Sequence, residues 1–96
     1  MVTHIVFFAF QEKDKRANLI EARRRIEAMM GAVPTLKHVE VGINFADEDR
    51  AMDMALVTQF EDRDGLSAYA THPVHLEVIA YIKGVAEYTK VVDYEH

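Results

Sequence analysis

Cysteine is absent from this 96-residue chain. Disulfides, thiolate nucleophiles and cysteine-ligated zinc are therefore all excluded. There is also no apolar run long enough to span a bilayer. No basic stripe or Lys/Arg-rich tail is present, and the formal net charge is -5. That balance argues against nucleic acid as a partner. The one basic cluster, Arg23-Arg24-Arg25, would spread around most of a helix circumference and reads as solvated surface. Gly-rich phosphate loops and serine nucleophile elbows are missing. The chain enters strand-like sequence at once, without the charged and apolar blocks of a cleavable leader. A cytoplasmic protein with no membrane partner is the expectation.

What is present fits one compact domain over residues 1–96. The hydrophobic share is 50%, too high for a disordered chain. Val2 to Phe10 is rich in β-branched and aromatic residues and reads as a strand. Its two alternating sets are Val2, His4, Val6, Phe8, Phe10 and Ile5, Phe7, Ala9. Both are apolar apart from His4, so both faces of this strand should be covered. Asp14 to Met30 has helical spacing, with Leu19, Ala22, Ile26, Met29 and Val33 on one stripe. Gly31 suits the helix end, and Pro34 lies beyond it. Period two returns over Lys37 to Asn44 and again over Met52 to Phe60. Between them, Asp47-Glu48-Asp49 reads as a solvated hairpin end and not as a calcium loop. The Met29-Met30 and Met52/Met54 pairs read as core filler.

Asp62 or Asp64 can cap a short helix running to Tyr69. Pro73 suits the first turn of a further helix that ends at Gly84, with His72 near the cap position. Tyr88 to Tyr94 is the last strand. The order β-α-β-β-α-α-β predicts an α+β fold, a ferredoxin-like four-stranded antiparallel sheet with helices on one face. Helices can cover only that face. The first strand is apolar on both sides, and the second and third carry the rows Val39, Val41, Ile43 and Met52, Met54, Leu56. An open apolar face of this kind predicts a homodimer joined through the sheet.

Chemistry concentrates in Tyr69-Ala70-Thr71-His72-Pro73-Val74-His75. His75 would lie in the first turn of a helix, where the dipole disfavours a protonated imidazole. A neutral imidazole can act as a general base. Tyr69 can donate a phenolic hydrogen bond to a developing oxyanion. His75 and Tyr69 are thus the candidate catalytic pair. His4, His72, Val6, Phe8, Ile26, Leu56 and Val78 are the candidate binding residues, for a small hydrophobic ligand. The same segment has a plain structural use, since His-Pro is a good helix-start device and His75 could serve a nearby carbonyl. Two clustered histidines without a placed carboxylate make a thin case for metal, so no metal site is assigned.

The opening Val2-Thr3-His4-Ile5-Val6-Phe7-Phe8, the Pro34-Thr35-Leu36-Lys37 turn before Glu40-Val41-Gly42, the Tyr69…His72-Pro73-Val74-His75 segment and the closing Val91-Val92-Asp93-Tyr94 resemble the stress-responsive A/B-barrel (Dabb) domain family. The likeness runs over almost the whole chain in the same order. It implies a dimeric α/β barrel in which two sheets pack face to face. It also implies the cofactor-independent ring closure of a plant polyketide cyclase of that family. In that enzyme a histidine acts as base and a tyrosine as oxyanion partner, at the positions of His75 and Tyr69, with His4 matching a pocket histidine. This chain departs from the cyclase pocket on the first helix, where Ala22, Arg23 and Ile26 replace aromatic residues, and at Ala86, which replaces a tryptophan. The resemblance therefore implies a different substrate, or a non-catalytic dimeric module linked to stress or ligand binding.

Overall fold

Alternation in the strands and apolar stripes in the helices give the observed elements in chain order. They are β1 (Val2–Phe10), α1 (Lys15–Glu27), β2 (His38–Ile43), β3 (Met54–Phe60), α2 (Arg63–Ala70), α3 (Pro73–Val85) and β4 (Ala86–Glu95). The structure is a computed structural model that describes every residue, Met1–His96. The strands form one antiparallel sheet in the order β2-β3-β1-β4. This is the α+β, ferredoxin-like arrangement expected, with the helices on one face.

Register assigns each row to a face. Val6 pairs with Leu56 on one side and Val91 on the other, and Leu56 pairs with Val41. The even residues of β1, Met54, Leu56, Thr58 and Phe60 of β3, and Val39, Val41 and Ile43 of β2 consequently share the helix-covered face. Buried there are Val2, Phe8, Phe10, Met54, Leu56 and Phe60, against Leu19, Ala22 and Ile26 of α1. Thr58, fully buried on this face, donates from Oγ1 to the His4 carbonyl at 3.3 Å. A buried hydroxyl without such a partner would be costly.

This register corrects the expectation that the apolar row of β2 adds to the open face. That row points inward, and β2 turns His38, Glu40 and Gly42 outward, paired with Gln59, Val57 and Ala55. The open face is apolar only across β1, β3 and β4, through Ile5, Phe7, Ala9, Ala55, Val57 and Val92. Its exposed members include Phe7 at 39% and Val92 at 53%.

Boundaries also differ from expectation: β3 starts at Met54 and not at Met52, and the ends of α1 and α3 shift as well. Helix α1 ends at Glu27 and not at Met30. The chain leaves it through tight turns, with the Met29, Met30 and Ala32 amides bonding carbonyls three residues back at 3.0, 3.2 and 3.0 Å. Gly31, at φ 87°, provides the left-handed step. These turns still bury Met29 and Val33 while exposing Met30. Helix α3 runs through Gly84 to Val85 and passes into β4 at Ala86, two residues before the strand was expected. Pairing explains the early start, since Phe10 opposes Ala86 beyond an irregularity at Ala9/Phe10.

Candidate functional site

The α2–α3 junction is built by two side-chain caps. Asp62 accepts from the Gly65 amide at 2.8 Å and starts α2. His72 accepts through Nδ1 from the Val74 amide at 3.1 Å and starts α3, with Pro73 behind it fixing φ. The His72 amide in turn donates to the Tyr69 carbonyl at 3.1 Å. The chain thereby folds back so that the Tyr69 and His75 rings lie 4.1 Å apart at 37°.

Tyr69 is enclosed, with 1% of its surface exposed. Its ring packs on Phe60 at 5.0 Å and meets His4 edge-on at 6.3 Å. Burial pushes its hydroxyl up to about 12, so the phenol keeps its proton and acts as a donor. The Nδ1 of His75 lies 3.0 Å from the Ala70 carbonyl. A carbonyl only accepts, so Nδ1 carries the hydrogen and Nε2 holds the free lone pair. Burial is the main force lowering the His75 pKa; the Ala70 bond opposes it and the nearby His4 adds to it. The imidazole is thus neutral at neutral pH, with its accepting nitrogen unused by the backbone.

His4 is held from the other side. Its Nδ1 meets the Asp93 carboxylate across the β1–β4 pair, where the two residues are in register. A carboxylate accepts, which leaves the His4 Nε2 as the second free nitrogen of the group. Asp93 was not anticipated as part of the constellation. Nothing in its local sequence marks it, because the pairing joins residues 89 positions apart.

These groups border a cavity of about 510 Å³ between the sheet and α3. His4, Val6 and Phe8 of β1, Ile26 of α1, Leu56 of β3, Tyr69 of α2, and His75 and Val78 of α3 all line it. The structure so brings together every candidate binding or catalytic residue except one. His72 lies outside the lining, its imidazole occupied in capping α3. Met29, Ile79 and Ile82 join the lining unannounced, although their helical spacing with Ile26 and Val78 was a usable signal. Lys83, Glu87 and Thr89 stand at the end of α3 and the start of β4. Ala86 also lines the cavity, contributing only a methyl group. The site offers one neutral acceptor and one phenolic donor against an apolar wall, a combination suited to moving a proton beside a polarised carbonyl. No helix is long and apolar enough to cross a membrane.

Comparison with known proteins agrees with this architecture. A stress-response A/B barrel domain-containing protein of Arabidopsis thaliana is 26% identical over 94 residues, covering 95% of this chain and 82% of that protein. A crystal structure from Bacteroides fragilis, described as a dimeric protein of unknown function and ferredoxin-like fold, superposes with a TM-score of 0.88 at 28% identity. The match covers 99% of this chain and 95% of that one. The hydroxynitrile lyase of Passiflora edulis has the same fold, with a TM-score of 0.85 at 18% identity over 97% and 90% of the two chains. The model of the stress responsive A/B barrel domain family matches residues 2–96, and the chain belongs to that family.

Proposed function

We propose that this protein is a homodimer that binds a small hydrophobic or phenolic carbonyl compound and catalyses cofactor-independent proton transfer on it, in the manner of a polyketide cyclase. The observation that carries this reading is the tethering of His75. Its Nδ1 is committed to the Ala70 carbonyl, which leaves Nε2 as the free acceptor of a neutral imidazole on a residue that lines the apolar cavity beside the Tyr69 ring. His75 then removes a proton from carbon next to the ligand carbonyl, and Tyr69 donates a hydrogen bond to the oxygen as negative charge grows there. His4, oriented by Asp93, borders the same end of the cavity and helps to orient the ligand oxygen. A lyase built on this fold supports the reading at the level of architecture only.

The dimer forms through the open face centred on Ile5, Phe7, Val57 and Val92; the dimeric description of the Bacteroides fragilis relative supports a dimer, and the exposed Phe7 and Val92 support the face. Burying such a face removes apolar surface from water at roughly 25 cal/mol per Å². Dimerisation and chemistry would therefore use opposite sides of one sheet. The protein works in the cytoplasm as a single domain spanning the chain.

The bonds that His72 and His75 make to their own backbone favour a second reading, a dimeric ligand-binding module without catalysis. A structure determined after soaking with small phenolic and polyketide-like compounds separates the two. A ligand oxygen within hydrogen-bond reach of both His75 Nε2 and the Tyr69 hydroxyl is the expected result. If nothing enters beside His75, the enzyme reading falls.

A further inference from the structure

Helix α3 carries polar groups to the cavity at both of its ends. His75 lies in the first turn and Lys83 in the last, and eight residues at 1.5 Å each separate them by about 12 Å. Strand β1 runs the same distance, with His4 and Phe8 about 13 Å apart at four residues of extended chain. Phe8 is paired with Thr89, just beyond Glu87, whereas His4 is paired with Asp93. The cavity is therefore elongated. His4, Tyr69 and His75 form one end, Lys83, Glu87 and Thr89 the other, and Val6, Leu56, Val78 and Ile82 line the stretch between them.

The second end has its own chemistry. Lys83, Glu87 and Thr89 are exposed, so this end is a mouth of the cavity, which also opens to water beside Val91. Neither Lys83 nor Glu87 joins any ion pair of the chain. They are four apart in sequence, but the helix stops at Val85 and so does not bring them together as a helical pair. Lys83 can lay its methylenes on the apolar wall while its ammonium stays in water. With the Thr89 hydroxyl it gives the mouth two donors, and Glu87 is an acceptor that an anion would have to avoid.

We infer that the cavity takes an elongated amphiphile with an anionic end, such as a medium-chain oxo acid. Lys83 selects the anionic end at the mouth, while the carbonyl sits against Tyr69 and His75. This rests on the cavity reading given above and adds the class of ligand. Isothermal titration with octanoate and with octanol, which share a chain and differ in end charge, tests it on the intact protein. Both bind the wild type. Lys83→Glu weakens octanoate about fivefold, the scale of one exposed ion pair made or lost, and weakens octanol by a much smaller factor, that of the shortened apolar stem. Glu87→Gln tightens octanoate by a smaller factor and leaves octanol unchanged. Octanoate binding that ignores Lys83→Glu, or an equal loss for both ligands, overturns the role of Lys83 while the cavity reading stands. Failure of both ligands to bind the wild type overturns the two together.

Discussion

The two faces of this sheet are made from the same strands yet are covered differently. On the helix-covered face, Phe10 and Phe60 are almost completely enclosed and Thr58 has its hydroxyl satisfied. On the open face, Phe7 and Val92 stand exposed, and β2 contributes His38, Glu40 and Gly42 in place of an apolar row. Burial within the chain holds the first face together; no helix of the chain covers the second. The covered face is also interrupted. Between β4 and α3 the packing opens into the cavity, so core and candidate site share one surface. Changes on the two faces should accordingly separate into losses of folding and losses of association.

The largest effect should come from the covered face. Phe60→Ala removes a fully enclosed ring that also supports Tyr69. Urea unfolding should show a loss of about 3–5 kcal/mol. A loss well under 2 kcal/mol would mean that this face is not the core. Val57→Asp puts a charge in the middle of the open face, which should leave the fold within about 1 kcal/mol. Sedimentation should then fall from twice the chain mass of 11.0 kDa to that mass. A variant that unfolds instead would erase the contrast between the faces.

Smaller effects sharpen the site within the covered face. Tyr69→Phe keeps the enclosed ring and removes only the oxygen, so urea unfolding should shift by less than about 1 kcal/mol. Binding of a phenolic carbonyl ligand should weaken by about 5- to 10-fold, the worth of one hydrogen bond. Equal binding would place the ligand oxygen elsewhere. The smallest effect concerns pH. Burial lowers the His75 pKa from its ordinary 6.5. Below 6.5 the unfolded chain binds a proton that the folded chain resists, so this contribution is complete above 6.5 and is lost as pH falls through the folded value. His75→Gln should therefore flatten the fall in stability below pH 6.5 while changing little at pH 8. An unchanged acid limb would show that His75 is not desolvated.

Much of the covered face was legible in advance. Strand β1 announced itself through two apolar sets, and His72 with Pro73 marked the start of α3, while the structure chose Asp62 over Asp64 as the cap of α2. The direction in which β2 turns its Val39, Val41, Ile43 row was not legible. Period two shows that a strand has two different faces, but which one meets the helices depends on its partner's register. The pairing of His4 with Asp93 was hidden for a related reason, whereas the capping bond of His72 spans two residues and was one of the two uses its position suggested.

By itself, then, the sequence determined the elements and the local geometry of the Tyr69–His75 segment. Helical and strand periods, cap residues and proline act over a few residues and need no distant partner. Only the tertiary structure decided which rows share a face, that Asp93 would hold His4, and that a cavity would open between α3 and β4. Each of those depends on contacts between residues far apart in the chain, made only when register and packing bring whole elements together.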